Sequence, residues 1–334
     1  MYDAYPNYKD GVLDDEVAAF LTTLAASEAA DARPLSELNP EEVRRSCDIS
    51  AWVAQRDLVK EKVDVLVPGT AGSLPLRLYR PEGEGPFPVL LYFHGGGWVF
   101  GSLGEADQIC SALSRRTPCI VVSVGYRLSP EAKYPAALED ARDAASWTAE
   151  NIRAYGGDPK RLAVAGESAG ANIATSLCRI FRDEGGPRIA YQLLLCPWTD
   201  LSSFETASCR SFGEGPWLPR RNLEYYRAQY LGDPGRALKP DASPFLAKDL
   251  GGLPPAHVVT AEFDVLRDDG EAYAARLREA GVIAGVKRYR GMIHSFIVLN
   301  GVFSKAESAV DDCAAKLRES LPKTAGAGMM SAIH

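Results

Sequence analysis

Hydrophobic positions recur in this chain with different periods in different regions. Near the amino terminus Val17, Phe20, Leu21 and Leu24 follow helical spacing. Residues from about 13 to 56 are therefore expected to be helical, with Pro34 and Pro40 as breaks. Val63, Val65 and Val67 then alternate with polar residues, as do Leu74, Leu76 and Leu78, and Pro68-Gly69 stands between the runs. That pattern predicts a hairpin of half-exposed strands. From Pro88 onward short, mainly apolar runs appear: Val89–Phe93, Cys119–Val124, Leu162–Ala165, Gln192–Cys196 and His257–Ala261, with Val286–Tyr289 as the expected last strand. Amphipathic stretches between and after them predict helices over 105–116, 136–154, 169–184, 269–280 and 304–320. Continuous apolar strands alternating with helices signify a parallel sheet covered on both faces. With the hairpin, the expectation is an α/β fold on an eight-stranded, mostly parallel sheet.

One stretch breaks the alternation. Between Asp200 and Pro255 no strand is predicted, but Phe204, Phe212, Trp217, Tyr225, Tyr226, Tyr230 and Phe245 crowd together. A long insertion in a compact fold is usually functional. It is expected, with the amino-terminal helices, to cover the carboxyl ends of the strands, where open α/β sheets bind ligands. The expected organisation is a helical cap segment over 1–56, a catalytic domain over 57–322 with 200–250 as inserted cap, and a flexible tail over 323–334. The four aromatics expected to line a substrate pocket are Trp98, Tyr126, Phe212 and Trp217.

Composition narrows the function classes. The formal net charge is −7, and the basic doublets Arg44-Arg45, Arg115-Arg116 and Arg220-Arg221 are scattered, so no nucleic-acid partner is expected. No apolar run approaches the roughly 18 residues of a membrane span, and the first residues lack a secretory pattern. Seven widely spaced cysteines form no C-x-x-C pair. They are expected to be buried free thiols in the cytoplasm, with no metal site and no cofactor.

The local chemistry is more specific. Gly166-Glu167-Ser168-Ala169-Gly170 follows the strand RLAVA and precedes the helix ANIATSLCRIF. A serine on such a strand-to-helix turn has its hydroxyl lifted from the sheet, with the helix amino terminus behind it. His94-Gly95-Gly96-Gly97-Trp98 follows the strand VLLYF. Consecutive glycines let backbone N–H groups converge on an oxyanion, and Gly96, Gly97 and Ala169 are the expected donors. A serine hydroxyl needs a base, and the chain has four histidines. His94 precedes the glycines, His257 opens an apolar strand and His334 is the last residue. His294, in GMIHSF after the last strand, is left as the base. Two acids follow strands, Asp200 in PWTD and Asp264 in TAEFD. Asp264 is preferred because it follows the strand just before that of His294 and gives the chain order Ser, Asp, His; Asp200 remains the alternative.

These motifs, with YRLSPEAKYPAALED and AEFDVLRDDG, resemble the bacterial hormone-sensitive-lipase-like esterases along nearly the whole chain. The resemblance implies an α/β-hydrolase fold, a helical amino-terminal cap, and carboxylic-ester hydrolysis by Ser168, Asp264 and His294. It also implies a homodimer joined through the last strand. Three positions depart from the usual pattern: Glu167 where many members have Asp or Thr, Val265 in place of proline, and Ser295 in place of glycine. The expected substrate is a small ester with a short-to-medium acyl chain. Amides, lactones or xenobiotic esters are the alternatives on the same triad, and a non-catalytic receptor is the alternative from another class.

Overall fold

Val63, Val65 and Val67 stand opposite Leu78, Leu76 and Leu74 in an antiparallel hairpin of β1 (Glu61–Gly69) and β2 (Gly72–Arg80). The computed structural model describes residues 11–28, 33–50, 52–53, 58–215 and 217–321. The expected tail over 323–334 lies outside them, as do the first ten residues of the expected cap segment. The hairpin reverses at Thr70-Ala71 rather than at Pro68-Gly69. Pro68 stays in β1 because β1 is an edge strand, where a missing N–H can face outward at no cost to the ladder.

The apolar runs become β3 (Phe87–Phe93), β4 (Ile120–Val124), β5 (Gly157–Glu167), β6 (Ile189–Leu195), β7 (Ala256–Phe263) and β8 (Ala284–Ile293). They join the hairpin in one eight-stranded sheet of order β1-β2-β4-β3-β5-β6-β7-β8. The pairs from β4 to β8 are parallel, and β2 meets β4 antiparallel. β8 is longer than its apolar run because it is the other edge. Lys287, Arg288 and Arg290 are exposed while Gly291, Met292 and Ile293 are buried in succession, so the strand runs past Val286–Tyr289 at both ends.

In the central strands successive side chains point to opposite faces, and both faces are covered. Val89, Leu91, Phe93 and Val164 pack with side chains of α4 (Ala136–Asn151), α5 (Ala169–Glu184) and α8 (Arg267–Glu279). Leu90, Tyr92, Ala163 and Ala165 pack with those of α1 (Asp15–Glu28), α3 (Asp107–Arg116) and α9 (Ser304–Ser320). Burying a large aliphatic side chain contributes about 1.5–3 kcal/mol, so these runs are mainly apolar, with Ser123, Gln192 and Thr260 as buried polar exceptions. In the amino-terminal region Pro40 starts α2 (Pro40–Ser46) instead of breaking a helix. It occupies the first turn, where an N–H has no partner to lose, and Asn39 and Glu42 close a capping box. The stretch after Asp200 holds α6 (Ala207–Phe212) and α7 (Arg220–Leu231). No helix among the described residues is long and apolar enough to cross a membrane.

Candidate active site

β5 ends at Glu167 and α5 begins at Ala169, so Ser168 alone makes the turn. Its φ of 52° and ψ of −115° lie in a region that costs a residue with a side chain on the order of 1–3 kcal/mol. The turn is tight enough that a Cβ at Gly166 would overlap the Gly170 carbonyl, and one at Gly170 would overlap the Phe93 carbonyl. Glycine is the residue that fits both places, which is the physical content of the motif's spacing. The Ser168 N–H donates to the Leu195 carbonyl at 2.8 Å and ties the elbow to the neighbouring strand.

His294 follows β8 directly. Its Nε2 stands 3.0 Å from Ser168 Oγ and its Nδ1 2.8 Å from Asp264 Oδ2. Asp264 follows β7 and is 1 % exposed. Its second oxygen accepts the Leu266 N–H at 2.8 Å. The fold thus brings Ser168, His294 and Asp264 into one buried chain of hydrogen bonds at the carboxyl ends of three strands. Asp200, the alternative acid, turns elsewhere: its Oδ1 accepts the Ser202 N–H at 2.8 Å and the Ser202 hydroxyl at 2.5 Å.

A second buried carboxyl stands beside the imidazole. Glu167 Oε1 lies 3.6 Å from His294 Nε2 and accepts the Ser295 hydroxyl. Burial pushes the Glu167 carboxyl above its ordinary range, although His294 and Ser295 pull the other way. Burial also opposes charge on His294, but Asp264 and then Glu167 override it, and the net shift is upward from 6.5. Two of the departures from the family pattern, Glu167 and Ser295, are therefore bonded to each other at this point. Cys196, with φ of 43°, completes the surroundings: its thiol lies within 4.8 Å of the ligating atoms of Asp264 and His294. Those three are the one group of potential metal ligands among the described residues. His294 Nδ1 and Asp264 Oδ2 are already engaged with each other, so a metal would have to break that bond.

The glycine run forms the next wall. Gly96 and Gly97 have φ of 101° and 57°, and a Cβ at Gly97 would collide with the Tyr226 ring. Among the described residues no protein acceptor takes the N–H of Gly96, Gly97 or Ala169. The last is an orphan of the first turn of α5. His94 is a buried support for this loop. Its Nδ1 is 2.8 Å from the Gly95 carbonyl, its ring stacks on Tyr126 at 4.2 Å, and burial lowers its pKa to about 4. The Tyr126 hydroxyl donates to the His94 carbonyl at 2.8 Å. His257 is buried in β7, as a core histidine.

Ser168, His294 and the glycine run open into a cavity of about 970 Å³. Of the four aromatics expected there, Trp217 lines it. Trp98 is fully buried, stacked on Tyr230 at 4.1 Å. Tyr126 lies beneath the glycine loop, and Phe212 packs against Phe263 at 5.6 Å. A ring's facing depends on tertiary packing, which the aromatic content of a segment does not report. The rings that do line the cavity besides Trp217 are Trp52, Tyr92, Phe100, Trp198 and Tyr226. Trp52 lies in the amino-terminal stretch, where only the helical period was informative.

Comparison with known proteins places this geometry. A family profile described as alpha/beta hydrolase fold matches residues 90–298. The carboxylic ester hydrolase LipN of Mycobacterium tuberculosis is 39% identical over 266 residues, covering 78% of this chain and 70% of that protein. The ethyl acetate hydrolase of Pseudomonas putida is 35% identical over 308 residues, 89% of this chain and 96% of that one. The crystal structure of a thermostable esterase from Pseudomonas putida superposes with a TM-score of 0.88 at 37% identity, covering 95% of this chain and 99% of the other.

Proposed function

Since the chain belongs to the α/β-hydrolase-fold family, in its hormone-sensitive-lipase-like branch, and is a carboxylic ester hydrolase, we propose that Ser168, His294 and Asp264 are its catalytic triad. The observation that carries this reading is the hydrogen-bonded chain from Ser168 Oγ through His294 to Asp264, set on the floor of the cavity. Ser168 Oγ attacks the ester carbonyl while His294 Nε2 takes its proton. Asp264 holds the proton on Nδ1 and stabilises the resulting imidazolium. The N–H groups of Gly96, Gly97 and Ala169 receive the oxyanion. The imidazolium then protonates the departing alcohol, and water repeats the attack on the acyl-enzyme. No step needs a metal or an organic cofactor.

The amino-terminal helices and the segment over 200–250 are proposed as the cap, because Leu21, Leu24, Cys47, Leu218 and Tyr226 supply cavity wall. We take the substrates to be small esters of short-to-medium acyl chain, in the cytoplasm. β8, as an edge strand, is the proposed seam of a homodimer. The test of function is hydrolysis of p-nitrophenyl esters from acetate to palmitate, beside a matched anilide. Turnover that peaks at the short esters is expected. Faster cleavage of the anilide or the palmitate would overturn the substrate reading.

Acid dependence follows from the raised pKa of His294. The base must be neutral, so kcat/KM is expected to fall as pH drops through a value above 6.5. Glu167 favours the imidazolium; removing its charge lowers the His294 pKa. Glu167→Gln should therefore move the acid limb downward. A limb that stays in place or moves upward would contradict that role.

A further inference from the structure

Glu105 lines the same cavity as Ser168 and His294, and the mechanism gives it no part. It sits on the loop between the glycine run and α3. Among the described residues its one side-chain hydrogen bond is from the Ser102 hydroxyl, at 3.2 Å. Among the described residues no Lys, Arg or His pairs with it, and the charge acting on it is another acid, Asp48. Burial, with Asp48, raises its pKa to about 7.

None of the arginines of the cavity wall pairs with Glu105. Arg33 bonds Glu42 at 3.3 Å, while Arg45 is 4.0 Å from Glu41 and Arg221 3.8 Å from Glu214, both at exposed positions. Asp48 also lines the cavity, and Trp52 lies on the same short turn, its N–H donating to the Ile49 carbonyl at 2.9 Å. Trp52 faces the cavity as well. A partly desolvated carboxyl without a counter-cation is costly. A cation brought by a ligand offsets that cost, and an indole face attracts the same charge.

We infer that Glu105, together with Asp48 on the same cavity wall, is a specificity residue that selects esters bearing a fixed positive charge over neutral esters of the same shape. This deepens the ester-hydrolase reading and rests on it. The group recognised is a quaternary ammonium or comparable cation, carried on the alcohol or the acyl part of the ester.

The experiment compares kcat/KM at about pH 8.5, where a carboxyl near 7 is ionised. One substrate pair is 2-(trimethylammonio)ethyl acetate and its neutral isostere 3,3-dimethylbutyl acetate. A second pair places the trimethylammonium group, or the tert-butyl group, on the acyl side of a p-nitrophenyl ester. Wild type is expected to prefer the cationic member of at least one pair by about ten-fold. Glu105→Gln, which keeps a hydrogen-bonding partner for Ser102, should bring that ratio near one. Glu105→Asp should retain a preference. Because the readout is a ratio of substrates on one protein, a general loss of activity in a variant cancels. A wild-type ratio near one, or a ratio that survives in Glu105→Gln, overturns the inference about Glu105. Failure of wild type to hydrolyse even the neutral esters would instead overturn the hydrolase reading beneath it.

Discussion

Ser168→Ala is expected to lower kcat by about a million-fold, the scale at which removing the nucleophile disables a whole triad. The geometry explains why no neighbour can substitute. Ser168 Oγ is the group held 3.0 Å from the imidazole Nε2. The Ser295 hydroxyl is turned to Glu167, and the Cys196 thiol lies on the Asp264 side, buried with its pKa pushed well above the ordinary value. A residual rate above the uncatalysed reaction is expected, since the backbone N–H groups of the glycine run and of Ala169 remain in place. The variant should fold and bind substrate, because alanine keeps the Cβ and the backbone bond to Leu195. The checks are kcat by burst and steady-state kinetics, and labelling of wild type alone by an organophosphonate. Substantial residual turnover, or labelling at another serine, would remove Ser168 from the mechanism.

Asp264→Asn should cost about 10⁴-fold in kcat, and the reason lies in one backbone bond. Asp264 Oδ1 accepts the Leu266 N–H, so an asparagine would keep its carbonyl oxygen there and turn its NH2 toward His294 Nδ1. The imidazole would then have to accept at Nδ1 and carry its proton on Nε2, the wrong tautomer to receive one from Ser168. Asp200→Asn, whose carboxylate serves Ser202, should stay within a few-fold of wild type. Kinetics on the two variants side by side separate the candidates: equal losses, or a larger loss at Asp200, would reverse the assignment of the acid.

The sequence was most legible where a short-range rule governs. α5 and α9 lie over the predicted 169–184 and 304–320, because each is bounded by strand or loop chemistry that a linear pattern records. The elbow and the glycine run were legible for the same reason: a few consecutive residues carry the whole steric requirement. The place of His294 beside Ser168 could be reached by elimination, since histidines are few. Legibility failed where tertiary placement decides. Pro68 and Pro40 have the same covalent constraint, yet one sits in an edge strand and the other starts a helix. β8 hid its length because one of its sides has no neighbouring strand. Trp98 and Trp217 are both tryptophans, but one is buried and stacked on Tyr230 and the other faces the cavity. Strand order favoured Asp264 over Asp200 from the sequence, and the side-chain directions agree with that preference.

The N–H groups of Gly96, Gly97 and Ala169 belong to the main chain, whereas the cavity above them is walled by the side chains of Leu21, Leu24, Trp52, Leu218 and Tyr226. Heritable variation acts on these two layers unequally. Exchanging a wall side chain leaves every main-chain donor in existence, so taste for substrates can drift while the acyl-transfer machinery is inherited intact. Directed evolution of this protein should therefore find its new selectivities at the wall positions, and find almost none at the elbow or the glycine run.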